Sequence, residues 1–171
     1  RRRILWLLIL VLANGLTTKV IAMNDQILKE IVLLAAFIPL LIGTGGNVGA
    51  QSSTVIIRGL STQKLKSVGA FKAVIKEAIT GALLGIFMML VVIPFAWWQG
   101  EGPLIAAAVG ISLISITTLA ATTGAILPLL FDRMGLDPAL MSSPLITTVT
   151  DIVGVFIYLN TATWLLNSSI L

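Results

Sequence analysis

Apolar residues come in five long blocks, separated by short stretches rich in Gly, Pro or charge. A bilayer core of ~30 Å needs about 20 mostly apolar residues per helix. The pattern predicts spans over roughly 4–23, 31–57, 74–98, 104–130 and 139–166. The third closes on Trp97-Trp98, an interfacial aromatic pair, and the fifth opens after Asp137-Pro138. The expected architecture is an all-α polytopic membrane protein of five transmembrane helices. Residues 1–171 form a single transmembrane domain.

Composition sharpens this. The chain is 57% hydrophobic and 11% charged, against about 25% charged in ordinary soluble domains. The run after Arg1-Arg2-Arg3 has the look of a signal peptide, but it lacks a small-residue cleavage site and further spans follow it, so it reads as a true span. Arg1, Arg2, Arg3, Arg58, Lys64, Lys66, Lys72, Lys76 and Arg133 fall on one side of the five spans, and only Lys19 and Lys29 on the other. The positive-inside rule then makes the N-terminus cytoplasmic and places the C-terminus outside. The basic loop 58–76 reads as this topology signal, or as a surface helix on anionic lipid. The net charge of +4 sits between spans, which argues for no nucleic acid partner. The chain opens on arginine, as a fragment lacking an upstream cytoplasmic part would.

One acid contradicts the apolar pattern. Asp151 lies in "SSPLITTVTDIVG", about 12 residues and ~18 Å into the fifth span. A charge at that depth costs roughly 2.5–3.5 kcal/mol on insertion scales, so it should face a bundle interior or a watery cavity. Ser143, Thr147, Asp151, Gly154 and Tyr158 share one stripe at helical spacing. That stripe reads as a pore lining. The competing account, an ion pair inside the bundle, lacks any Lys or Arg near midplane depth. Thr147 and Thr148, a turn before Asp151, are placed to add hydroxyl or carbonyl oxygens.

The second span carries "PLLIGTGGNVGAQSST", residues 39–54. Pro39 frees the carbonyl of Ala35. Gly43, Gly45, Gly46 and Gly49 either expose backbone to a water-lined path or let helices approach closely. Asn47 and Gln51 are deep polar amides with a functional reading, and Gly46 is the glycine beside them. In the fourth span, Ser115, Thr118 and Thr122 share a face, and most such hydroxyls bond back to their own helix. Glu77 and Asp132 read as solvated carboxylates near span ends.

The chain holds no cysteine and no histidine. Thiolate or imidazole metal sites are therefore absent, and the oxygen ligands that remain suit hard cations such as magnesium, calcium or manganese. No serine–histidine pair or phosphate loop points to an enzyme.

"GTGGNVGAQSST" with its following basic loop, and "PALMSSPLITTVTDIVG" in the last span, resemble the transmembrane domain of the MgtE magnesium channels. The likeness covers essentially the whole chain. It implies a homodimer in the bilayer of the cell inner (plasma) membrane, with one ion path at the subunit interface lined mainly by spans two and five. It implies that Asp151 binds the transported magnesium ion; Gly46, Asn47 and Gln51 are the second-span candidates for the path, and Ser143 and Gly154 the fifth-span ones. It also implies upstream regulatory domains of the same protein, not contained in this chain, that sense cytoplasmic magnesium and close the channel. The expected activity is magnesium flow into the cytoplasm down its electrochemical gradient. A proton-coupled cation transporter is the alternative, since one buried acid relays protons equally well. An intramembrane aspartyl protease, with Asp151 from two copies, and a purely structural subunit are the remaining readings.

Overall fold

The computed structural model describes residues 2–25, 28, 32–62, 69–98 and 102–168. They form five α-helices: α1 (Arg2–Met23), α2 (Val32–Ser61), α3 (Ala70–Trp98), α4 (Pro103–Arg133) and α5 (Pro138–Ser168). Each lies on one expected span. The differences are at the ends: α2 continues a turn past its expected limit through Arg58, and α3 starts earlier, at Ala70, and takes in Lys72. The basic segment is thus mostly helix end, with its centre, 63–68, outside the described residues. Among the described residues α2, α3, α4 and α5 are long and apolar enough to cross a bilayer, and α1 contributes the shorter apolar stretch Leu10–Met23. The protein is a multi-pass membrane protein.

The connection between α4 and α5 shows how the sequence turns the chain. Gly135 adopts φ +69°, and its N–H donates to the Asp132 carbonyl while Leu136 N–H donates to Phe131 O at 2.9 Å. These two bonds satisfy the last carbonyls of α4 in the Schellman arrangement, which a glycine in the left-handed region permits. Two residues later Asp137 Oδ1 accepts the N–H of Ala139 at 2.9 Å, and Pro138 occupies the first helical position, where it loses no bond.

α4 is the central helix, packed on α2, α3 and α5, while α1 lies against α5. Small residues let the backbones approach. A β-carbon on Gly81 would lie 2.6 Å from the Thr117 carbonyl oxygen, so α3 meets α4 almost backbone to backbone. Leu34, Leu41, Leu113, Ile116, Tyr158 and Leu159 fill the space among α2, α4 and α5 and are fully buried. Three hydroxyls of α4 are satisfied within their own helix: Thr117, Thr118 and Thr122 each donate to a carbonyl four residues earlier. The outer face of α3 exposes Phe71, Ile79, Leu83, Phe87 and Leu90, as a lipid-facing surface should. Glu77 departs from expectation. It is only 8% exposed, because it lies one turn from both Ala73 and Gly81 on the face that α3 turns to α4.

Candidate ion path along the seam of α2 and α5

α2 and α5 run antiparallel and touch through the glycine-rich stretch. A β-carbon on Gly46 would meet Thr147 Cγ2 at 3.6 Å; one on Gly45 would meet Thr150 Cγ2 at 2.5 Å, and one on Gly49 Ile146 Cγ2 at 2.5 Å. Gly45 and Gly49 are therefore contact glycines, buried against α5 and α4. Gly46 sits at the edge of the contact, with room to spare.

This arrangement sorts the polar residues. On α2, Gly43, Asn47, Gln51, Thr54 and Arg58 follow one another at steps of three and four and are all exposed. On α5, Ser143 is exposed, and Thr147 and Asp151 are half-buried at steps of four. The seam brings the two rows side by side on one surface of the chain. That surface is polar through the middle of two membrane-crossing helices, where lipid tails offer no hydrogen bonds.

The α5 stripe does not stay open along its whole length. Gly154 is buried with the Ile116 side chain 3.6 Å from where its β-carbon would be. Tyr158 is fully buried and its hydroxyl donates to the Leu34 carbonyl at 3.1 Å. The stripe itself runs straight, but what covers it changes, since α2 and α4 close over its far end. Thr148 is likewise 4% exposed and donates to Pro144 O at 2.9 Å. The structure thus gathers Gly46, Asn47, Gln51, Ser143, Thr147 and Asp151 at the seam and turns Thr148 and Gly154 toward neighbouring helices.

Thr147 also donates to Pro144 O, at 2.9 Å, and turns its Cγ2 methyl to Gly46. Among the described residues there is no group of three or more acidic, histidine or cysteine side chains. Among the described residues of the two rows Asp151 is the one acid, beside hydroxyls, amides and glycines.

The family model described as "MgtE: Divalent cation transporter" matches residues 38–161, which contain both rows of the seam. This chain belongs to the MgtE family. Three relatives named "Magnesium transporter MgtE" align over nearly all of it. That of Thermus thermophilus is 40% identical over 166 residues, 97% of this chain and 37% of the relative. The Enterococcus faecalis protein is 34% identical, covering 94% of this chain and 36% of its own length. The Bacillus subtilis protein is 33% identical, covering 98% and 37%. This chain thus spans little more than a third of the MgtE relatives it matches.

Arg58, part of the basic loop expected to signal topology or to lie on anionic lipid, extends the exposed row of α2, four residues after Thr54 and seven after Gln51.

Proposed function

We propose that this chain is the pore part of a magnesium channel that conducts the ion into the cytoplasm of the cell down its electrochemical gradient. The observation that carries the reading is the half-buried Asp151 carboxylate on a polar seam with Thr147, Ser143, Asn47 and Gln51. A surface of this kind inside a bilayer calls for water or protein against it. A second copy supplies both, so the working unit is a homodimer with the two seams face to face. Two Asp151 carboxylates then carry two negative charges at the axis, matched by one divalent cation.

The ligand set favours an ion that keeps its water. Magnesium prefers six oxygen ligands, dehydrates reluctantly, and is commonly held by one or two carboxylates. Hydroxyls and amides of Thr147, Ser143, Asn47 and Gln51 suit the outer hydration shell. Such contacts bind weakly enough for release, which conduction requires. A membrane potential that is negative inside draws each charge with about 2.3 kcal/mol per 100 mV, doubled for a divalent ion. The N-terminus is cytoplasmic on this reading, and regulatory domains of the same protein, outside this chain, act on the path.

Magnesium uptake into proteoliposomes tests this, with wild type beside Asp151→Asn. Uptake driven by an inside-negative potential alone, and reduced at least tenfold in the variant, supports the channel. Uptake that requires a proton gradient favours the coupled transporter instead. Equal uptake in both proteins removes Asp151 from the path.

A further inference from the structure

The exposed row on α2 does not end on a neutral residue. After Asn47, Gln51 and Thr54 its next member is Arg58, exposed in the last turn of the helix. Arg58 lines a cavity of about 380 Å³ together with Ser53, Thr54, Ala139 and Ser143. Thr54 and Ser143 belong to the two rows of the seam, so this cavity is the seam's opening at the end where α2 stops and α5 starts. At 1.5 Å per residue Arg58 stands roughly 18 Å along α2 from Gly46, the residue that meets Thr147.

Arg58 is the only charged side chain among the residues that line this opening. An adjoining cavity of about 670 Å³ shares Ile57 and Ala139 with the first and is lined by Asp132, Arg133 and Asp137. Of its two acids, Asp137 is engaged at the start of α5, accepting the Ala139 N–H, and Asp132 shares its cavity with Arg133. No ion pair joins Arg58 to a carboxylate among the described residues. The opening of the seam thus carries a cationic side chain, while the adjoining cavity holds two acids and one arginine.

We propose that Arg58 is an electrostatic barrier at this mouth, setting the rate at which a divalent cation leaves the path and hindering cations that would enter against the flow. The proposal rests on the reading of the seam as the ion path. A surface potential of about one kT per unit charge, modest for a protein, lowers the local concentration of a divalent cation about seven-fold. Two facing copies place two such charges at one opening. The mouth is the cytoplasmic one on the positive-inside reading, so the barrier acts on exit during inward flow and on entry during outward flow. A guanidinium that merely anchors the helix end in lipid headgroups would do neither.

The experiment compares wild type, Arg58→Gln, Arg58→Lys and Asp151→Asn in the full-length protein, by magnesium current in planar bilayers at low and high ionic strength. Arg58→Gln is expected to raise the current about seven-fold at low ionic strength. The gap should close near 1 M salt, where the screening length is about 3 Å. Arg58→Lys should match wild type at both, since it restores the charge without the guanidinium. Wild-type and Gln currents that agree at low ionic strength, or differ by a factor that salt does not change, overturn the barrier. A wild-type current that Asp151→Asn leaves intact overturns the seam as the path, and the barrier with it. A current abolished in Asp151→Asn but unmoved in Arg58→Gln overturns the barrier alone.

Discussion

Thr147 of α5 lies over Gly46 of α2, with its Cγ2 methyl 3.6 Å from where a β-carbon on the glycine would be. Three residues on, Gly49 has no such margin, since Ile146 Cγ2 and the Ala120 carbonyl oxygen would stand 2.5 and 3.1 Å from its β-carbon. Gly46→Ala should therefore fold and unfold like wild type, within about 1 kcal/mol, because alanine also favours helix. Gly49→Ala forces α2 away from α4 and α5, an overpacking that typically costs 1–3 kcal/mol. Thermal unfolding of the detergent-solubilised variants should rank them in that order. The opposite ranking would contradict the packing of the seam.

Asp151 separates function from stability. Its charge is costly in a membrane helix, by roughly 2.5–3.5 kcal/mol at the bilayer centre. Asp151→Asn should leave the protein at least as stable as wild type while magnesium flux falls at least tenfold. Both are measured on one preparation, by unfolding temperature and by uptake. A parallel fall in stability and flux would mean that the carboxylate holds the fold rather than the ion.

Two adjacent threonines should behave differently. Both hydroxyls donate to Pro144 O at 2.9 Å, yet Thr147 is half-buried at the seam and Thr148 is 4% exposed. Replacing either by valine removes one bond within its own helix, worth about 1 kcal/mol or less. Only Thr147→Val also removes a hydroxyl from a residue of the seam. Flux should fall several-fold in Thr147→Val and stay within twofold of wild type in Thr148→Val. These fold-changes correspond to about 1 kcal/mol for the first and less for the second.

Tyr158 offers the converse case. Its hydroxyl donates to Leu34 O at 3.1 Å from a fully buried site that ties α5 to α2. Tyr158→Phe removes this bond between two helices, while the Leu34 carbonyl keeps its place in the α2 ladder, and should destabilise the protein by about 1 kcal/mol. Flux per folded molecule should not change, and a loss of flux at unchanged stability would place the tyrosine on the path.

The five helices were legible because membrane spans obey a local rule: each backbone group is satisfied within its own segment, so length and apolar content suffice. The loop signals were equally local, as Gly135 and Asp137-Pro138 show at the turn into α5. Glu77 illustrates the limit. Its position near a helix start suggested solvent, but its neighbours one turn away, Ala73 and Gly81, belong to a packing face that becomes visible only when α4 is present.

The sequence by itself determined the membrane class, the five helices and the stripe of α5, because spacing along one helix fixes which residues share a side. It singled out Asp151 on the same ground, as a charge with no partner in its own segment. The tertiary structure decided which side is covered, and by what. Gly154 and Tyr158 share a stripe with Asp151 but turn into the chain, because Ile116 of α4 and Leu34 of α2 close over them. Gly46 and Gly49 stand three residues apart, and only the approach of α4 and α5 makes one a loose edge and the other a tight contact. Periodicity is a property of one helix, whereas burial depends on which neighbour crosses it and at what height.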